Sequence, residues 1–178
     1  MPTAFIAPSG RASNLTAGVR AEEDAPAQSS PVLLVASSGG HLAQLMALRP
    51  WWSNRERTWV TFRTPDAESL LNGEEVHWAH HPTTRNVPNL LRNTALAVRV
   101  LAARRPAAVV STGAGVALPF FVLARLLRVP TVYIEVYDRI ETPTLTARLC
   151  RPFTRLFLAQ WEEQRSFMPT AITVGPLL

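Results

Sequence analysis

The chain has 178 residues, 47% of them apolar and 17% charged, a size at which one globular domain buries enough surface to need no disulfide or metal. A single cysteine, Cys150, excludes an intramolecular disulfide framework and a cysteine-based zinc site, and reads as a core residue on an apolar helix. The longest unbroken apolar run, residues 116–124, is less than half of the roughly 20 residues that a spanning helix requires, so no transmembrane segment is expected.

The net charge of +5 is unevenly spread, and all 18 basic residues are arginine. Between Val76 and Ile134 there is no Asp or Glu, while seven arginines occur: Arg85, Arg92, Arg99, Arg104, Arg105, Arg125 and Arg128. The rest of the chain carries 11 arginines against 13 acids. One surface is therefore expected to be basic, and such a surface meets anionic lipid, nucleic acid or a phosphorylated substrate.

Residues 1–30 are rich in Ala, Ser, Pro and Gly and lack the apolar core of a signal peptide, so they read as a retained, disordered tail ahead of a domain at 31–178. The pattern then changes. Residues 32–36 form an apolar strand, followed by Ser37-Ser38-Gly39-Gly40-His41 and a helical spacing at Leu42, Leu45, Met46 and Leu48. Residues 57–62 read as the second strand. Asp66 is placed as the cap of a short helix to Leu71, and 75–79 as a weaker third strand. A Pro-rich loop leads to a helix over 88–104, with Leu91, Val98 and Leu101 on one side and Arg92 and Arg99 on another. Strand 107–111, helix 116–128 and strand 131–135 follow. Thr142-Pro143 is expected to open a helix to Cys150, before strand 156–159, a helical turn at 161–167 and strand 171–174.

Short apolar strands alternating with helices predict an α/β fold: a Rossmann-like parallel sheet with helices on both faces. Ligands of such sheets bind outside the carboxyl ends of the strands, and the distinctive polar clusters all fall there. At Ser37-Ser38-Gly39-Gly40-His41, adjacent glycines let a ligand approach the backbone, and the following helix start favours negative charge. The same residues also serve a tight turn with His41 opening the helix. Gly113-Ala114-Gly115 repeats the device after the fourth strand, as a packing turn or as the second wall of a site. Glu135, at the end of an apolar strand, is either a partner for Arg139 or a ligand to a hydroxyl. His80 and His81 lack further metal ligands at useful spacing. The arginines of helix 88–104 suit a solvated face, the helix dipole or an anionic membrane surface. Coming so soon after the last strand, the Gly175 to Leu178 stretch suggests one half of a larger two-domain arrangement.

Six ordered segments resemble a known family: SSGGHLAQL at 37–45, GAGVALPFF at 113–121, YIEVYDR at 133–139, TLT at 144–146, FLAQWEEQ at 157–164 and VGPL at 174–177. Together they look like the PssD-type polysaccharide-biosynthesis proteins, bacterial relatives of the asparagine-linked-glycosylation subunit that anchors the eukaryotic dolichol-linked GlcNAc transferase. The peptidoglycan lipid-linked GlcNAc transferase, with both halves in one chain, is a more distant likeness. The resemblance covers about residues 32–178. It implies the amino-terminal, acceptor-side half of a GT-B glycosyltransferase of inverting type. The UDP-sugar donor would be bound mainly by a separate PssE-type chain, and the acceptor would be a polyprenyl-diphosphate-linked sugar of capsule or exopolysaccharide biosynthesis.

On that implication His41 is the base for the acceptor hydroxyl, and Glu135 orients His41 or holds a sugar hydroxyl. Ser38, Gly39, Gly40, Gly113, Gly115 and Arg139 would line the substrate. Unlike the eukaryotic branch, this sequence shows no amino-terminal spanning helix, so attachment would be peripheral, at the cytoplasmic face of the plasma membrane, through Arg92, Arg99, Phe120 and Phe121. No metal or other cofactor is implied, because no carboxylate cluster offers a site. Two other classes stand beside this one: a scaffold that only recruits and activates its partner, and a small nucleotide-binding or nucleic-acid-binding module. The acid-free stretch lacks the interleaved aromatics of a single-strand binder, which argues against nucleic acid.

Overall fold

A computed structural model describes residues 30–178; the tail expected over 1–30 lies outside the described residues apart from Ser30. Seven parallel strands form one sheet in the order β3-β2-β1-β4-β5-β6-β7. They are β1 (Val32–Val35), β2 (Arg57–Phe62), β3 (Val76–Ala79), β4 (Ala108–Ser111), β5 (Thr131–Ile134), β6 (Leu156–Ala159) and β7 (Ile172–Thr173). The central strands β1 and β4 are buried at every position, which is why they read as unbroken apolar runs. Val32 pairs with Arg57 on one side and Ala108 on the other. The chain thus moves outward from β1 to β3, returns to the middle, and moves the other way from β4 to β7. The order reverses between β1 and β4.

Helices cover both faces. On one lie α1 (Gly40–Ala47), α2 (Arg49–Trp52) and α3 (Pro65–Leu70), over a core of Leu34, Leu42, Leu45, Trp52 and Trp59. On the other lie α4 (Val87–Arg104), α5 (Ala117–Leu126) and α6 (Leu145–Cys150), over Leu33, Val60, Val100, Phe120, Phe121 and Tyr133. Cys150 belongs to this second core, and burial pushes its thiol up to about 12.

Three helix starts differ from expectation. The cap position of α3 is Thr64, and Asp66 sits in the first turn, where its carboxylate turns to the neighbouring glycine loop. The helix α6 begins at Thr144, whose hydroxyl accepts the Ala147 N–H at 3.1 Å, rather than at Thr142-Pro143. Helix α2 was not foreseen; it is a single turn opened by Pro50 directly after α1.

The phase of α4 also differs. Leu91 and Val98 are exposed, at 65% and 52%, while Asn89, Asn93, Leu96, Ala97, Val100 and Leu101 face inward. Two amides occupy the inner side because they satisfy the backbone of the loop at 80–82. Asn93 accepts the His80 N–H at 2.8 Å and donates to the His80 carbonyl at 2.9 Å, and Asn89 donates to the Pro82 carbonyl at 3.0 Å. Leu91 and Val98 therefore share the outward side with Arg92 and Arg99. Phe120 and Phe121 cannot face a membrane: both are completely buried, and Phe121 meets Tyr133 edge to face at 5.9 Å. No described helix is long and apolar enough to cross a bilayer.

These placements separate the apolar residues energetically. Phe120→Ala is expected to cost about 3–5 kcal/mol in chemical unfolding, and Leu91→Ala less than about 0.5 kcal/mol. Equal losses would mean that Leu91 is part of the core.

Candidate functional site

Reversal of strand order opens a crevice at the carboxyl ends of β1 and β4. Two loops flank it, Ser37-Ser38-Gly39-Gly40 into α1 and Thr112-Gly113-Ala114-Gly115 into α5. They are fastened together by a reciprocal pair of hydrogen bonds. The Nδ1 of His41 donates to the Thr112 carbonyl at 2.7 Å, and the Thr112 hydroxyl donates to the His41 carbonyl at 2.7 Å. Thr112 is fully buried, so the imidazole is held by a rigid part of the sheet edge.

That bond fixes the tautomer. With Nδ1 bearing the proton, the lone pair lies on Nε2. Burial holds the imidazole below its ordinary 6.5, against the Thr112 carbonyl and the Asp138 carboxylate, which both raise it. The ring is therefore neutral near pH 7, with one nitrogen able to take a proton.

The first loop is open to ligand. Gly39 adopts φ 71°, which favours glycine, and a Cβ at Gly39 or Gly40 would meet nothing within 4 Å. No side chain caps α1, so its first-turn N–H groups face outward beside His41; the Gly39 N–H alone is drawn to Asp66, at 3.3 Å. The second loop is packed instead. A Cβ on Gly113 would stand 2.5 Å from the Tyr133 hydroxyl, and one on Gly115 2.9 Å from Thr83. Both glycines make room for protein atoms, and they form a wall rather than an open cradle.

Glu135 is completely buried, and its two oxygens are occupied. Oε1 accepts the Val136 N–H and the Thr144 hydroxyl, each at 3.2 Å, and Oε2 accepts the Thr144 N–H at 3.4 Å. Thr144 gives its one proton to Glu135, so at 3.2 Å the Tyr133 hydroxyl donates to Thr144. Burial pushes the Glu135 carboxyl above the ordinary carboxylate range, offset in part by these hydrogen bonds and by the charge of Arg139. Glu135 thus closes the loop 136–143 and makes no hydrogen bond to His41; the Thr112 carbonyl orients the imidazole instead. Arg139 is exposed, and no ion pair ties its guanidinium among the described residues.

Three buried glutamines, which sequence reasoning did not single out as site residues, support this edge from below. Gln164 donates to the Val136 and Arg139 carbonyls, both at 2.9 Å, and accepts the Gln160 N–H at 2.7 Å. Gln160 in turn donates to the Glu135 carbonyl at 2.8 Å and to Gln44 at 2.5 Å. All three lie in segments that carry the family resemblance, Gln44 in 37–45 and Gln160 and Gln164 in 157–164, but their residue type suggested no chemistry of its own. Thr112 gave less, a single hydroxyl beside a glycine loop.

His41 gives a pH-dependent contribution to stability with a definite sign. The folded state resists the proton that the unfolded chain takes up near 6.5, so stability falls as pH drops through that region. Relative to His41→Gln, wild-type stability is expected to decline between about pH 7 and about pH 5 in urea titrations. A difference that grows as pH falls would mean that the imidazole is stabilised in its charged form.

The surroundings of this crevice find counterparts among known proteins. The family described as "Oligosaccharide biosynthesis protein Alg14 like" matches residues 32–177. The chain is 32% identical over 148 residues to the UDP-N-acetylglucosamine--N-acetylmuramyl-(pentapeptide) pyrophosphoryl-undecaprenol N-acetylglucosamine transferase of Oceanobacillus iheyensis, covering 74% of this chain and 40% of that protein. It is 24% identical over 189 residues to the UDP-N-acetylglucosamine transferase subunit ALG14 of Mus musculus, covering 86% of this chain and 85% of that subunit. Among solved structures, the crystal structure of Acinetobacter baumannii MurG matches with a TM-score of 0.68 at 17% identity, over 83% of this chain and 45% of that one. The chain therefore spans less than half the length of the Oceanobacillus transferase and of MurG. Its fold is that of one half of a GT-B glycosyltransferase such as MurG. By the span of the match and the order of its motifs, the chain belongs to the Alg14-like family of oligosaccharide biosynthesis proteins.

Proposed function

We propose that this chain is the acceptor-side subunit of a two-chain inverting glycosyltransferase. The enzyme moves a sugar from a UDP-sugar, bound mainly by a PssE-type partner, to a polyprenyl-diphosphate-linked saccharide of capsule or exopolysaccharide biosynthesis. The observation that carries the reading is His41, neutral and fixed by Thr112 beside an uncapped, open helix start. That arrangement suits an acceptor with a diphosphate on one side of its reacting hydroxyl. The first-turn N–H groups of α1, with Ser38, Gly39 and Gly40, face the diphosphate, and Arg139 adds positive charge. Nε2 of His41 takes the proton of the acceptor hydroxyl as its oxygen bonds to the anomeric carbon of the donor sugar. The bond from that carbon to the diphosphate breaks, UDP leaves with the electron pair, and the configuration inverts. Charge on the departing diphosphate is stabilised by the partner.

The reading has a second part, peripheral attachment to the cytoplasmic face of the plasma membrane. Its support is the outward side of α4, where Val87, Leu91 and Val98 stand exposed beside Arg92 and Arg99. Leu126 and Leu127, at 73% and 57% exposure, extend the apolar surface at the end of α5, between Arg125 and Arg128. Between the two helices runs an apolar groove of about 540 Å³ lined by Val98, Leu101, Leu123, Leu126 and Leu127. Arg104 is spent on Glu75 and does not add to this face.

Each arginine at an anionic surface contributes about 1 kcal/mol, so reversing Arg92 and Arg99 to Glu is expected to weaken binding to anionic liposomes at least about tenfold. Binding should fall with salt. Undiminished binding to neutral liposomes at high salt would place the attachment elsewhere.

The catalytic part is tested in the assembled complex. His41→Ala should lower kcat by roughly 100- to 10,000-fold with copurification of the partner intact. His41→Asn keeps a polar side chain at the helix start but accepts no proton near neutral pH, and should be as inactive. A fully active Asn variant would transfer the chemistry to the partner and leave this chain the role of a scaffold.

A further inference from the structure

Gln160 stands where three separate parts of the molecule meet. It is 1% exposed at the end of β6, and every hydrogen-bonding atom of its amide is used. The Nε2 donates to Oε1 of Gln44 at 2.5 Å, 116 residues away on α1, and to the Glu135 carbonyl at 2.8 Å. The Oε1 accepts the N–H of Leu177, in the segment after β7, at 2.9 Å. Gln44, itself 1% exposed, donates back along α1 to the Gly40 carbonyl at 3.2 Å. A continuous path of hydrogen bonds thus runs from the Leu177 backbone through two buried amides to the residue preceding His41.

The amide has one orientation. Its two donors face carbonyl oxygens and its acceptor faces an N–H, so a flipped amide would make three like-with-like contacts. Such contacts are disfavoured in a buried setting, so movement of any one partner is felt by the other two. Around the seat of Leu177 the surface is apolar and unpaired. Ile172, Val174 and Leu178 are each about half exposed, and β7 is the outer strand of the sheet.

We propose that Gln160 is the positioning residue that couples the segment 174–178 to the glycine loop. A contact made on that segment is registered at Gly40 and His41 through Gln44. The functional consequence rests on the two-chain reading above: a second chain seated against β7 and residues 174–178 would set the placement of the base as it docks. It requires no residue of the segment to enter the crevice.

The coupling is tested in the isolated chain by ¹⁵N-resolved NMR, without partner or turnover. Its failure is therefore distinguishable from failure of the transferase reading. Four proteins are compared: wild type, a chain ending at Pro176, Gln44→Met, and the two changes together. Loss of Leu177 and Leu178 is expected to shift the Gly40 and His41 amide signals in the wild-type background. In the Gln44→Met background, where the path is cut, the same truncation should leave them in place. Equal shifts in both backgrounds would mean that Leu177 acts by packing against α1, and would overturn the proposal. So would Gly40 and His41 signals that do not move in the wild-type background. If Gln44→Met fails to fold, Gln160→Met cuts the same path from its other side. If neither folds, truncation is compared with Leu177→Ala, which trims the packing side chain and keeps the N–H. Gly40 and His41 signals that move on truncation and stay in place in Leu177→Ala support the coupling, and signals that move equally in both, or in neither, overturn it.

Discussion

Two hydrogen bonds of 2.7 Å between His41 and Thr112 close the gap that opens where the strand order reverses. A reversal point in a parallel sheet is a place where two helix-leading loops diverge, and the backbone there loses its neighbours. Here the loops after β1 and β4 are joined by side chains, each reaching the other's carbonyl. The join has a chemical by-product. A histidine that donates through Nδ1 to a buried carbonyl presents its other nitrogen as an acceptor, and its neighbours decide whether that nitrogen is charged. Burial wins over the Thr112 carbonyl and Asp138, so structural fastening and a basic nitrogen come from one residue.

The rest of the carboxyl edge follows a related logic. Its loops are too long to be satisfied by sheet hydrogen bonds, and buried polar groups without partners are expensive. Among its buried side chains charge is used at Glu135, which is fully matched by the Val136 and Thr144 N–H groups and the Thr144 hydroxyl. Elsewhere neutral amides do the work. Gln44, Gln160 and Gln164 can donate and accept at the same time, so each satisfies several backbone groups with no charge to desolvate. The loop 136–143 is held from within by these amides, and by the indole of Trp161 on the Tyr137 carbonyl at 2.7 Å. Its outward surface keeps Asp138 and Arg139 free of structural duty.

Legibility in the sequence followed burial. Strands covered on both faces, such as β1 and β4, have no polar side to conceal them, and their boundaries were readable to within a residue or two. The glycine loops and His41 were readable because residue type and position at a strand end agree. What failed were elements in which a polar residue faces inward. Asn89 and Asn93 rotate α4 away from its apolar period because the loop at 80–82 needs their amides. Glu135 looked available for His41 because its true partner, Thr144, is nine residues on, across a turn that no periodicity marks. Phe120 and Phe121 sit in a run apolar on all sides, and such a run carries no phase to say which way it points.

That corrected phase changes how the two halves of the molecule relate. With Leu91 and Val98 outward, the mixed apolar and basic side of α4 lies on a helix that leads away from the edge carrying His41. The helix begins at Asn86, after the loop whose Thr83 packs against Gly115. The mixed apolar and basic side of α4 therefore starts next to the wall of the crevice instead of at a remote site. Arg104, at the far end of α4, is tied to Glu75, while no ion pair holds Arg92 or Arg99 among the described residues. Arg92 leans on Asn89 at 3.1 Å, a neutral partner that leaves its charge undiminished. The acid-free tract thus places Arg92 and Arg99 beside Leu91 and Val98 along the outer side of α4.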